Sequence, residues 1–205
     1  MPTAISTEPD WPPSSPTAYD DEFTGTVLNS SLWSWVNQGG ASANVSSSFL
    51  GLICPTPGGG DIWHLLAQTA PSTPWEFILC WLWNGSVEAS YLYAGFVLYD
   101  PSSGKLITFH LDNASLQVAY WNSVNSFSAG QFATTWPRPG RHYMKVKDDG
   151  TNLIFSYSRD GVNFWTAATL ARTAFLTPSK VCIGAGTNIG SGTMILSADF
   201  FRRTL

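Results

Sequence analysis

Asp160 stands in the run Phe-Ser-Tyr-Ser-Arg-Asp-Gly-Val-Asn-Phe-Trp over residues 155–165, beside Arg159 and between aromatic side chains. A carboxyl in that company could serve as the proton donor of a sugar site. The flanking pattern offers a second job. Phe155 and Tyr157 alternate with Ser156 and Ser158 as in a half-buried strand, and Val162 and Phe164 resume the alternation after Asp160-Gly161. Asp-Gly between such runs marks a hairpin, because a type I′ turn needs φ > 0 at both central residues. Asp160 is therefore read as a turn former and not as an acid.

Other local chemistry is sparse. No Gly-x-Ser-x-Gly elbow and no Gly-x-x-x-x-Gly-Lys-Ser/Thr phosphate loop occurs. The glycines of residues 57–61 (PGGGD) lack the Lys and the following helix, so this stretch reads as a loop. His64, His110 and His142 are isolated, with no His-x-His or His-x-x-x-His spacing. Glu76, Glu88 and Asp199 fall within strand-like runs, and none has an acidic neighbour two residues on. Cys54, Cys80 and Cys182 sit in apolar contexts and read as buried thiols, with a Cys54–Cys80 disulfide left open.

The aromatic inventory says more. The chain carries 10 Trp, 7 Tyr and 12 Phe, beyond what one core of this size needs. Rings flanked by polar groups are a usual way to hold the C–H faces of a sugar. Trp63, Trp81, Trp83, Tyr91, Tyr93, Trp121 and Trp136 are the candidate glycan-binding residues. Alternation places Trp81 with Trp83, and Tyr91 with Tyr93, on one face of their strands, while Tyr120-Trp121 must straddle two faces. At least one exposed aromatic patch is expected; the competing reading is that these rings are core.

The elements that must position these rings are strands. Runs at 41–55, 75–83, 91–100, 106–112 and 115–122 are followed by three strands across 142–170, with Asp-Gly turns at 149–150 and 160–161. Runs at 180–186 and 193–203 close the chain, and no apolar period of 3.6 extends past about ten residues. Residues 1–18 hold five prolines and read as an extended arm, followed by one domain over 19–205. Charged residues make up only 12%, against roughly 25% in an average domain. The net charge of −4 comes without a basic stripe, which argues against nucleic acid. The apolar run at 77–83 is far short of the ~20 residues of a membrane span.

In order and spacing, these motifs resemble the concanavalin A-like β-sandwich superfamily. The relevant stretches are YDDEFTG…LNSSLWSWVN (19–37), Gly51-Leu52, AGFVLYD (94–100), YSRDGVNFW (157–165) and IGAGT…ADFF (183–201). The nearest in style are domains of unknown function 1349 and the domains appended to family 43 glycosidases. The resemblance implies two antiparallel sheets in a jelly roll, with the opening strand within 19–37 and a glycan on the concave face or its rim. It also implies that first and last strands are neighbours, which makes Asp20, Asp21 and Asp199 a candidate oxygen-ligand site for Ca2+. Retaining glycosidases of this fold carry Glu-x-Asp-x-(x)-Glu on one strand, and no such string occurs here. The expectation is accordingly a non-catalytic glycan-binding or adhesion domain and not an enzyme. With no secretory signal visible at the N-terminus, the domain is expected on a bacteriophage virion, docked to other subunits through the Pro-rich arm, with a homo-oligomer as a further candidate partner. The alternatives are a structural virion component without a ligand, a glycosidase or its accessory domain, and a secreted protein.

Overall fold

The computed structural model describes residues 16–55, 60–84, 91–112, 115–136, 140–188 and 193–205. The arm expected over 1–18 lies almost wholly outside the described residues. Among those described there is no helix, and fourteen strands follow one another along the chain. They are β1 (Ser34–Val36), β2 (Ser42–Ser46), β3 (Phe49–Pro55), β4 (Ile62–Thr69), β5 (Trp75–Trp83), β6 (Tyr91–Asp100) and β7 (Lys105–Leu111). Then come β8 (Ser115–Ser123), β9 (Ser126–Thr135), β10 (Arg141–Asp148), β11 (Asn152–Ser158), β12 (Trp165–Ala171), β13 (Lys180–Asn188) and β14 (Thr193–Arg203).

Two antiparallel sheets of seven strands result. One has the order β1-β4-β13-β6-β7-β8-β9, and the other β12-β11-β10-β5-β14-β3-β2. The fold is the all-β, two-sheet sandwich that the alternation predicted. Alternate residues of each strand meet between the sheets, as the period of two requires. Phe77, Phe96 and Phe201 join there, with Phe201 centroids 5.0 Å from Phe77 and 5.4 Å from Phe96. Each fully buried ring of this kind contributes about 1.5–3 kcal/mol relative to an exposed one.

The first sheet buries side chains on its other face as well. Trp63, Leu65, Tyr93, Val97, Leu106, Ala119, Trp121 and Cys182 form a second apolar cluster, separate from the intersheet core. β4 is accordingly covered on both faces, buried from Trp63 through Gln68. That is why its sequence runs apolar without alternating and shows no half-buried strand signal.

Several local expectations change. Of the opening stretch 19–37 only Ser34–Val36 forms a strand, and nearer its start Asp21 makes a single bridge to Phe201, with both N···O distances 2.9 Å. The segment is held by Trp33, whose indole donates to Asp21 Oδ2 at 2.8 Å and whose ring meets Phe201 edge-on. The two Asp-Gly pairs reverse the chain but not as type I′ turns, since only Gly150 and Gly161 have positive φ. The left-handed pair is Ser47-Ser48, at φ 52° and 61°, in the two-residue link between β2 and β3. All three cysteines are buried and free.

Asp160 does a turn's work. Its carboxylate accepts from Ser158 Oγ, from the amides of Val162 and Asn163, and from Asn163 Nδ2 at 2.7–2.9 Å. These donors hold the carboxyl well below the usual carboxylate range, led by the Asn163 side chain.

Candidate functional site: a cleft on the outer face of the first sheet

The second apolar cluster ends at a cleft of about 250 Å³, lined by Asp61, Tyr93, His110, Asp112, Gln117, Trp121, Phe127 and Asn188. That volume lies just under the range of about 300–1,000 Å³ for drug-sized ligands, so it suits one ring-sized group.

The β6–β7–β8 register builds the floor. Gln117 on β8 pairs with His110 on β7, and Trp121 pairs with Leu106, so His110, Gln117 and Trp121 share the outward face. The Trp121 indole donates to Thr108 Oγ1 at 3.1 Å, which fixes the ring. Trp63 lies beneath, 4.5 Å from the Tyr93 ring and 5.8 Å from Trp121, centroid to centroid. Phe127, 49% exposed, meets Trp121 edge-on at 5.4 Å and extends the apolar wall toward solvent.

Tyr93 joins three strands. Its hydroxyl donates to Thr187 O at 2.8 Å and accepts from the Ile62 amide at 2.9 Å. The ring fits because Gly186 stands opposite, where a Cβ would strike both Tyr93 Cε2 and Ile62 O. Burial pushes the phenol pKa far above its ordinary value, so the group stays a neutral hydroxyl.

Polar groups converge on this floor from three chain ends. Asp112 follows β7 and accepts from the Ser115 amide and hydroxyl, each at 2.8 Å, and from Gln117 Nε2. Asp61 precedes β4, and burial pushes its carboxyl above the usual range, with hydrogen bonds from Asn188 and Tyr93 opposing. His110 is 3% exposed, and its Nδ1 has no hydrogen-bond partner. Burial lowers its pKa to about 4, against a smaller opposite effect of Asp112, so the ring is neutral near pH 7.

The predicted residues divide accordingly. Tyr93 and Trp121 line the cleft, and Trp63 supports it from below. Trp81 and Trp83 do share a face, but that face is the intersheet core: Trp81 is fully buried, its ring 5.0 Å from His142. Trp136 packs at the sandwich edge against Tyr157 and Trp165, away from the cleft. The side chain of Tyr91 lies outside the described residues. Tyr120 and Trp121 do straddle the sheet: Tyr120 points to the other side and stacks on Phe175 at 4.2 Å.

The three carboxylates suggested for Ca2+ are engaged separately. Asp20 accepts from Thr17 and the Arg203 amide, Asp21 from Trp33 and the Phe23 amide, and Asp199 pairs with Arg141 at 2.8 Å. Among the described residues no group of three His, Cys, Asp or Glu side chains is placed to hold a metal ion.

The sequence motifs did not reach Asp61, His110, Asp112, Gln117, Phe127 or Asn188. Asp61 sits in the Gly-rich loop and Asp112 at a hairpin end, 51 positions apart by number (112 − 61), and only the sheet order brings them into one cleft. The His110–Gln117 alternation across the β7–β8 hairpin was the one available signal.

No family model and no curated protein sequence matches the chain. Solved structures do. A family 43 protein, BlXynB of Bacillus licheniformis, superposes with TM-score 0.69 at 16% identity, over 90% of this chain and 39% of its own. The catalytic domain of an endo-1,3-β-glucanase (laminarinase) from Thermotoga petrophila does so with TM-score 0.63 at 10% identity, over 90% and 95%. The exoplasmic/lumenal domain of VIP36, in a Ca2+-bound form, gives 0.58 at 12% identity, over 90% and 89%. The chain thus spans about two fifths of the family 43 proteins it matches. The fold is the concanavalin A-like β-sandwich, shared by glycoside hydrolases and lectins.

This corrects the expectation that the chain is not an enzyme. That expectation rested on the missing Glu-x-Asp-x-(x)-Glu string, yet the similar structures include a glucanase catalytic domain and an endo-β-galactosidase. A single-strand motif is also not the only way to assemble carboxylates, because folding places Asp61 and Asp112 in one cleft.

Proposed function

We propose that the cleft on the outer face of the first sheet binds a glycan, with one sugar ring seated against Trp121 and Tyr93. The observation that carries this is the convergence of two carboxylates, two amides and a neutral imidazole around an aromatic floor of ring-sized volume. A sugar offers an apolar C–H face to Trp121 and Phe127 and hydroxyls to Asp61, Asp112, Gln117 and Asn188. The similarity to lectins and glucanases supports the reading at the level of fold. Calorimetric titration with neutral and charged oligosaccharides tests it: Trp121→Ala abolishes binding, whereas Trp165→Ala at the sandwich edge leaves it intact. Binding that survives Trp121→Ala in a folded protein contradicts it.

Cleavage of a glycosidic bond in the same cleft is the second reading, and the raised pKa of Asp61 favours it. A carboxyl that keeps its proton to higher pH can donate it to a leaving oxygen, while a second carboxylate faces the sugar. Release of reducing ends, lost in Asp61→Asn, supports this reading; release unaffected by that change contradicts it.

Placement on a virion surface, with residues 1–18 docked to neighbouring subunits, is proposed on composition alone. The low charge and the Pro-rich arm are its support.

A further inference from the structure

The charge of the cleft narrows the sugar. Two carboxylates line it, and no Lys or Arg is among its lining residues. The polar remainder, Gln117, Asn188 and Tyr93, is neutral, and burial keeps His110 neutral near pH 7. A second observation bears on the cleft: His110, which lines it, is 3% exposed and its Nδ1 has no hydrogen-bond partner. A buried polar atom left in that state is stabilised by a ligand group that bonds to it.

We infer that the cleft takes a sugar bearing a free ammonium group, of the deacetylated hexosamine class, in preference to neutral sugars and to the exclusion of uronic acids. This rests on the glycan reading above. An ammonium offers three N–H donors, enough to reach Asp61 and Asp112 together, and gains from the faces of Trp121 and Tyr93. A carboxylate or sulfate on the sugar would meet the like charge of Asp61 and Asp112, which disfavours its binding. A metal ion is the poorer occupant, because no three metal-ligating side chains are grouped here among the described residues.

The test is calorimetric titration of the full chain with four oligosaccharides of one length: fully deacetylated glucosamine, its N-acetylated counterpart, glucose, and a uronate. The expected result is that the glucosamine oligomer binds at least about tenfold tighter than the two neutral ones, as a charge-assisted hydrogen bond predicts. The uronate does not bind. The preference shrinks as salt rises, and Asp61→Asn brings the affinities of the amine and neutral oligomers together. If Asp61→Asn fails to fold, the salt dependence on the native chain carries the same test. Equal binding of amine and neutral oligomers overturns the inference but leaves the glycan reading standing. So does uronate binding, with or without added Ca2+. No binding of any sugar overturns both.

Discussion

Gly186 stands directly opposite Tyr93 in the β6–β13 register, and the phenol ring lies where a side chain at 186 would begin. The absent Cβ lets Tyr93 tie β4, β6 and β13 together through its hydroxyl and present its ring to the cleft. Gly186→Ala would strike Tyr93 and also the carbonyl of Ile62, which belongs to a paired backbone and cannot swing aside. A loss of about 1–3 kcal/mol in urea unfolding, as for other overpacked sites, is expected together with weakened glycan binding.

Trp121 couples stability to binding. The ring is 3% exposed, and truncation to Ala removes about 3–5 kcal/mol by cavity formation. Thr108→Val is the finer probe. It keeps volume but takes away the acceptor of the indole N–H, at a cost of about 1–3 kcal/mol. Denaturant midpoints of the two variants check both values.

His110 makes the fold sensitive to acid. The unfolded ring takes up its proton near pH 6.5 and the folded one near 4, so between these values the unfolded state binds more protons. Stability therefore falls as pH drops through that window, by on the order of 3 kcal/mol in full. Asp61 works in the opposite sense: its folded pKa is raised, so its contribution is present at low pH and lost as pH rises through the folded value. His110→Asn isolates the larger effect, and its stability should vary less between pH 6.5 and 4 than that of the native chain.

Asp160 separates turn from chemistry. Asp160→Ala removes the acceptor of two amides and of Asn163 Nδ2, so the melting temperature falls. Because the folded pKa is depressed, that contribution is present above the unfolded value near 3.8 and lost at lower pH. Glycan binding and any reducing-end release should not change; a loss of either would return Asp160 to the site.

How far the sequence carried depends on what each pattern encodes. β5, β6 and β14 were legible to the residue, because each carries apolar side chains at a period its neighbours respect. β9 was not: Ser126–Thr135 is an edge strand, mostly exposed and built mainly from Ser, Ala, Thr and Gly, with Phe127 and Phe132 too far apart to show an alternation. Tyr93 and Trp121 were legible as site candidates, but so were Trp81 and Trp83 by the same criterion. Alternation assigns residues to a face without saying which face meets the other sheet. Asp61 and Asp112 were illegible because their proximity follows from strand order, a long-range property that neither local stretch contains.

Sugar binding at Trp121, and not at the other rings, is open to a site-by-site readout. A 15N–1H NMR titration with oligosaccharide, followed at the assigned indole Nε1–H signals, provides it. The Trp121 signal is expected to shift on saturation while those of Trp75 and Trp81, fully buried in the intersheet core, stay in place. Shifts at Trp136 and Trp165 with Trp121 unmoved would place the ligand at the sandwich edge and rule out the cleft as its site.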